Sequence, residues 1–255
     1  SQGVMKSLIT EILYLLLSTI GFCQPNGNIQ GLILTGKHHP GHNWKKTTPV
    51  IESALEEGNM DVDVSKDIED LARLDLSQYD FLVLNYNNWD DPEGLSNASK
   101  EDFTGYLKNG GGLLIIHFAN GAWHKSLPEA GASDWPEYRK ICRRVWDHDG
   151  PSTHDAYGKF TVEVTYVEHA ITEGISDFTT IDELYYNQVG DAPVGEPLLV
   201  AKSKETGKKE PQAWVYRYGK GKVFQLLLGH SAESLSVAEV QQILRNAAQW
   251  SGKKR

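Results

Sequence analysis

Histidine is the residue to follow in this chain, because an imidazole moves protons near neutral pH and ligates metals. His117 lies in GGGLLIIHFANGAW, which runs from Gly110 to Trp123. The apolar residues Leu113 to Ile116 and Phe118 around it read as a strand buried on both faces of a parallel sheet. His117 then sits near the carboxyl end of that strand, where open α/β sheets bind ligands. The plain alternative is a core histidine with both ring nitrogens satisfied. His230 closes a second apolar run, VFQLLLGH. The loop GKHHPGHNW holds His38, His39, His42 and Trp44, and Pro40 with Gly41 shapes the turn that aims the rings. Such a loop suits metal ligation or polarisation of a substrate oxygen, with Trp44 stacking on a sugar ring; otherwise it is an exposed polar loop. Asn85, Asn87, Asn88 and Trp89 follow the run Phe81 to Leu84. In DELYYNQ, Asp182 to Gln188, an extended chain turns Glu183, Tyr185 and Asn187 to one face, because side chains alternate along a strand. That row fits a carbohydrate; a polar strand edge is the simpler reading. His148, Asp149, His154 and Asp155 offer either a metal site or a solvated loop.

The elements that must position these groups alternate strand and helix through the first half. Ile29 to Thr35 reads as a strand, followed by a helix capped at Thr47 or Thr48 with Pro49 in its first turn and Gly58 at its end. Met60, Val62 and Val64 alternate with acids as an edge-like strand, and Phe81 to Leu84 forms a buried one. Ser99 with Asp102 is a capping-box pattern for a helix carrying Phe103, Tyr106 and Leu107. Trp123 to Gly158 is a long insertion whose aromatic content points to an ordered lid. Trp135, Tyr138, Ile141, Cys142 and Val145 share one helical face within it. Phe160 to Tyr166 alternates as a half-exposed strand, with HAITEGI as a connecting turn. Leu198 to Ala201 and Ala213 to Arg217 make an antiparallel pair around a lysine-rich turn. The last helix opens at Ser236 with Glu239 as its capping partner and closes at Trp250. The pattern predicts an α/β fold: a doubly wound, mostly parallel sheet flanked by helices, with an antiparallel extension in the C-terminal half.

At 255 residues with 40% apolar content, the chain can bury a large core. A net charge of −9 works against nucleic acid as a partner. Met5, Lys6 and the apolar run Ile12 to Phe22 resemble a secretory signal, too short to span a bilayer comfortably. We therefore expect residues 1–24 to be a cloning remnant plus signal peptide and residues 25–255 to form one domain. The mature chain is expected to be exported, periplasmic or at the cell surface, without a membrane span. Whether Cys23 is lipidated or removed stays open. Cys142 is then left alone, which forbids an intrachain disulfide; it is either a reactive thiol beside Arg143 and Arg144 or a packed one.

Four segments in order, HPGHNW, GGGLLIIHFA, HAITEGI with DELYYN, and YGKGKVFQLLLGH, together resemble the trehalose-utilisation (ThuA-like) family. The resemblance implies the fold of the class I glutamine amidotransferases. The turn after the central strand, where those enzymes carry a cysteine nucleophile, has His117 and Phe118 instead, so glutamine hydrolysis is not expected. His230 and Glu233 fall in the segment similar to the one bearing the amidotransferase histidine and glutamate. The resemblance implies carbohydrate catabolism on disaccharides or glucosides, with sugars first oxidised to a 3-keto form by a partner dehydrogenase. A C3 ketone acidifies the C2 proton, so hydrolysis, elimination or isomerisation needs a base and an acid rather than a thiolate. On that reading His117, His230 and Glu183 are catalytic, while His39, His42, Trp44, Tyr185, Asn187 and Asn85 bind substrate. A divalent metal is left open and no nucleotide cofactor is expected. The alternative is a non-catalytic carbohydrate-binding or sensing module on the same fold. An amidase inherited from the superfamily would need Cys142 within reach of His230.

Overall fold

The computed structural model describes residues 27–252. The expected signal segment and Cys23 lie outside the described residues. In chain order the elements are β1 (Ile29–Leu34), α1 (Trp44–Glu56), β2 (Met60–Ser65), α2 (Asp70–Arg73), β3 (Phe81–Leu84), α3 (Asn97–Lys108) and β4 (Gly112–Ile116). They continue with α4 (Tyr138–Ile141), β5 (Thr153–His154), β6 (Gly158–Val164), β7 (Phe178–Asp182), β8 (Tyr185–Tyr186) and β9 (Leu199–Lys202). β10 (Lys209–Tyr218), β11 (Gly221–Leu226), α5 (Ala232–Leu235) and α6 (Ala238–Gly252) complete the chain.

Nine strands form one sheet in the order β2-β1-β3-β4-β11-β10-β9-β6-β7, and β5 pairs with β8 in a separate small ribbon. The pairs from β2 across to β11 are parallel, and those from β11 across to β7 are antiparallel. β3 and β4 are buried at every residue, as strands covered on both faces must be. Side chains alternate between two cores. On one face Ile33, Val83, Leu114, Ile116 and Phe224 pack against Ile51 and Leu55 of α1 and Ile243, Leu244 and Ala247 of α6. On the other, Leu32, Leu84, Leu113, Ile115 and Val223 pack against Phe103 and Leu107 of α3 and against Trp123, Trp135 and Tyr138 of the insertion. The insertion is ordered by this second core, although its helix is a single turn at Tyr138–Ile141.

The direction of the strands decides what shares a rim. β1, β3, β4 and β11 run the same way, and the alternation through β10, β9 and β6 restores that direction at β7. The segments that follow β1, β4, β7 and β11 therefore emerge at one edge of the sheet, and these are the segments bearing His42, His117, Glu183 and His230.

Three expected boundaries move, each for a local reason. α1 starts at Trp44, a turn before Thr47, because Thr47 and Thr48 are buried inside the helix, where both hydroxyls accept hydrogen bonds from the Asn85 amide (2.9 and 3.1 Å). α3 is capped by Ser96 rather than Ser99: the Ser96 side chain accepts the Ser99 amide N–H, while the Ser99 hydroxyl donates to Glu69. α6 starts at Ala238, since the Ser236 hydroxyl instead donates to the Ala232 carbonyl and closes the separate turn α5, capped by Ser231. The strand through the central histidine also ends two residues early. Ile116 is the last residue of β4, and His117 and Phe118 begin a 3₁₀ turn.

Candidate active site

His117 follows Ile116 as Leu227 follows Leu226, and those two strand ends are in register. The His117 ring is fully buried, and its Nδ1 lies 2.6 Å from the Leu227 carbonyl oxygen. A carbonyl only accepts, so Nδ1 carries the proton and the lone pair of neutral His117 is on Nε2. Nε2 has no hydrogen-bond partner and lies 3.7 Å from Glu183 Oε2. The backbone of His117 has φ +45°, a conformation that β4 would not impose by itself and that holds the ring at the end of the strand.

His230 is brought beside it by a tight approach. Gly229 has φ +125°, and a Cβ there would meet Ile116 Cγ2 at 2.8 Å. Buried Asp182 accepts the backbone N–H groups of Gly229 (2.8 Å), His230 (3.1 Å) and Glu183 (2.8 Å), which ties the end of β7 to the loop after β11. The result is a distance of 2.9 Å between His230 Nδ1 and Glu183 Oε2. His42 reaches the same place from the loop after β1. Its ring centroid is 4.9 Å from those of both His117 and His230, it stacks on Phe118, and its Nε2 is 3.4 Å from the Tyr185 hydroxyl. One ligand-capable atom from each of His42, His117, Glu183 and His230 falls within 4.8 Å of all the others.

The charges follow from the packing. Burial works to raise the Glu183 carboxyl, but the close approach of the His117 and His230 rings outweighs it and holds the group well below the usual carboxylate range, so Glu183 is ionised. Burial, reinforced by the neighbouring His117, holds His42 far below the ordinary histidine range, and similar causes bring His39 down to about 4. Both rings are neutral at physiological pH. Burial, followed by the charge of Glu183, pushes the Tyr185 phenol well up.

Beside this cluster opens a cleft of about 450 Å³, lined by Trp89, Phe118, Trp146, His148, His154 and Tyr185 as well as by His42, Glu183 and His230, while His117 is fully buried next to them. The volume lies in the range of small-molecule sites, about 300–1,000 Å³. A larger hollow of about 610 Å³, beside Tyr79, Asp80 and Tyr106, brings no histidine to its lining. His154 faces Glu183 from the wall, Nε2 to Oε1 at 3.7 Å. Its Nδ1 lies 2.7 Å from the Asp155 carbonyl oxygen, so here too Nδ1 is the donor and Nε2 is the nitrogen that faces Glu183.

Of the residues expected at the site, the structure brings together His39, His42, His117, Glu183, Tyr185 and His230. Three lie elsewhere. Trp44 opens α1 beside Lys45 and lines a separate hollow of about 530 Å³ that it shares with His39 and His42, not the cleft above Glu183. Asn85 is fully buried, its amide donated to the two threonines of α1. Asn187 has φ +55°, which breaks the alternation after Tyr185 and leaves its side chain exposed. Glu233 is also exposed, its carboxylate 3.4 Å from the Tyr157 hydroxyl, so the acid beside His230 is Glu183. Asp149 is exposed, and buried Asp155 holds Ser203 and the Lys204 amide, so neither joins the histidines. Cys142 is buried in the core against the Arg144 carbonyl, its thiol pushed up to about 12 by burial. The sequence reading passed over Trp146, although it stands at the head of the polar run that supplies His148 and His154. It also gave Asp182 no role of its own.

A mixed sheet, parallel in its N-terminal half, antiparallel in the rest and flanked by helices, carries an imidazole–carboxylate centre at one rim; this defines an α/β protein with a built small-molecule cleft. The profile of the ThuA family, described as trehalose utilisation, matches residues 31–251, and the chain belongs to that family. The family gives it a carbohydrate-related role. A ThuA-like protein from Parabacteroides merdae superposes with TM-score 0.75 at 25% identity, covering 89% of this chain and 91% of that one. One from Bacteroides uniformis gives 0.65 at 18% identity, over 88% and 91%. A β-galactosidase from Rahnella sp. R3 shares the fold at 13% identity and TM-score 0.58, over 89% of this chain but 32% of that enzyme. Comparison with curated proteins gives no match. No helix among the described residues is long and apolar enough to cross a membrane.

Proposed function

We propose that this protein acts in carbohydrate catabolism as an enzyme that removes the C2 proton from a glycoside oxidised at C3, leading to loss of the group at C1 or to isomerisation. The observation that carries this reading is the convergence of His42, His117, His230 and Glu183 on one point at the floor of an aromatic-walled cleft. Family membership supplies the sugar, and the β-galactosidase relative adds that this fold also occurs within a carbohydrate-active enzyme.

The chemistry divides between floor and wall. A ketone at C3 makes the C2 proton acidic, and the charge that develops on the ketone oxygen during its removal needs stabilisation. In this reading ionised Glu183 and the Nε2 lone pair of His117 would repel that charge by themselves, so a cation held among His42, His117, His230 and Glu183 would supply the polarisation. His154 takes the proton: it lines the cleft, and with Nδ1 held against the Asp155 carbonyl its Nε2 is the nitrogen available to do so. Trp89, Trp146 and Tyr185 provide flat apolar surfaces for the sugar ring. His39 and His42 complete the wall on the β1 side. Expulsion of the C1 oxygen takes up a proton and gives the 1,2-unsaturated ketone, to which water adds if the outcome is hydrolysis. A sugar dehydrogenase acting earlier would supply the ketone. Residues 1–24 direct export in this scheme, so the substrate is met in the periplasm or at the cell surface.

Incubation of the purified chain with a 3-keto-disaccharide and with its unoxidised parent tests the reading. We expect turnover of the ketone and none of the parent. If neither sugar is consumed while both are bound, the enzymatic reading fails and a binding or sensing module takes its place.

A further inference from the structure

We propose that His42, His117, His230 and Glu183 hold a divalent first-row transition-metal ion. Binding of the ion rests on the geometry of these residues alone; its use in polarising a sugar ketone rests on the reading given above.

The first argument is one of unmet bonding. Buried ring nitrogens are expected to have partners. Nδ1 of His42, Nε2 of His117 and Nδ1 of His230 are all buried without a hydrogen bond, and all three belong to the same cluster. Glu183 faces two of these rings, but one carboxylate oxygen at 2.9 and 3.7 Å does not satisfy both, and it leaves His42 unserved. The rings do not answer one another either, since their contacts are edge-on with centroids 4.9 to 5.5 Å apart. A single cation among them satisfies every orphaned nitrogen at once.

The second argument is the arrangement behind the donors. Metal-ligating histidines commonly donate their other ring N–H to a carbonyl, which fixes the ring and its tautomer. His117 does so to Leu227 at 2.6 Å.

The third is spacing. Nitrogen and oxygen ligands about 2.0–2.2 Å from a metal lie at most about 4.4 Å from one another. The four donors fall within 4.8 Å of one another, close enough for small rotations of the side chains to bring them onto one ion. Three imidazoles and one carboxylate select zinc, manganese, iron or cobalt over calcium and magnesium, which prefer oxygen throughout. His154, outside the set, stays free as a base.

The full chain, stripped with a chelator and shown by circular dichroism to be folded, would be titrated with Zn²⁺, Mn²⁺ and Co²⁺ by calorimetry. The expected result is one equivalent bound with submicromolar affinity for at least one ion, and visible absorption bands with Co²⁺. Glu183→Gln and His230→Ala should each weaken binding by tenfold or more, while His38→Ala, at an exposed position, should leave it unchanged. Absence of stoichiometric binding by the folded chain, or equal affinity in the Glu183→Gln and His230→Ala variants, overturns the proposal. Tight binding with no turnover of keto-sugar would leave the metal site standing and remove the catalytic reading. Turnover by the chelated protein, with no ion bound, would remove the ion's part in polarising the ketone, and the titration alone then decides the site.

Discussion

A histidine's neighbours, rather than its place in a sequence, decide what it does. His117 and His154 both donate Nδ1–H to a backbone carbonyl, and in each the other ring nitrogen, Nε2, lies 3.7 Å from a Glu183 oxygen. His117, His42 and His230 stood out in the sequence because each closes or follows an apolar run, and strand ends are where such sheets place their ligands; Glu183 stood out by alternation along DELYYNQ. Trp44, Asn85 and Asn187 were misread because their directions depend on facts no pattern carries: where α1 starts, which hydroxyls claim an amide, and one positive φ. Replacing His154 by alanine is expected to lower kcat on a 3-keto-glycoside by roughly 10²–10⁴-fold with KM little changed, measured by steady-state kinetics. An unchanged kcat would assign the base elsewhere. Cys142 gives a prediction of the opposite kind. With its thiol buried and raised to about 12, it should resist an aromatic disulfide reagent at pH 8 in the native protein and react fully in guanidinium. Native-state labelling at one equivalent would show that the core opens there.

Among the elements, the joint between β7 and the loop after β11 matters most, because it sets His230 against Glu183. Asp182 accepts three backbone N–H groups there, and its replacement by alanine leaves buried donors unpaired, at a cost of at least about 3 kcal/mol. Gly229→Ala attacks the same joint through strain and collision with Ile116, and should destabilise the fold by about 1–3 kcal/mol while reducing activity more than stability. Denaturant titration alongside kinetics separates the two effects; full activity in either variant would show that the joint does not position His230. By contrast, Ser96→Ala should cost about 0.5–2 kcal/mol through loss of the α3 cap and leave the kinetics untouched. That cap escaped the sequence reading because Ser96 and Ser99 are both plausible start signals, and only the hydrogen bond between them shows which one acts.

For the molecule as a whole, most of the architecture was legible. Uninterrupted apolar runs marked β3 and β4 as central, alternation with acids marked β2 as an edge, and the lysine-rich turn marked the antiparallel pair. The mixed character of the sheet has a functional consequence. The parallel half delivers His42, His117 and His230 to one rim, and the antiparallel run through β10, β9 and β6 returns the chain so that Glu183 arrives at the same rim from the far side. No local pattern encodes that meeting, since it depends on the order in which the strands pair. It also explains how a centre can form at the turn after β4 without a cysteine there. The most direct measurement of the account is proton NMR of a 3-keto-glycoside in D₂O with the protein present. Wild type should replace or lose the C2 proton, and the Glu183→Gln and His154→Ala variants should do so at least about a hundredfold more slowly. Consumption of the sugar with the C2 proton retained, or equal rates in all three proteins, would contradict it.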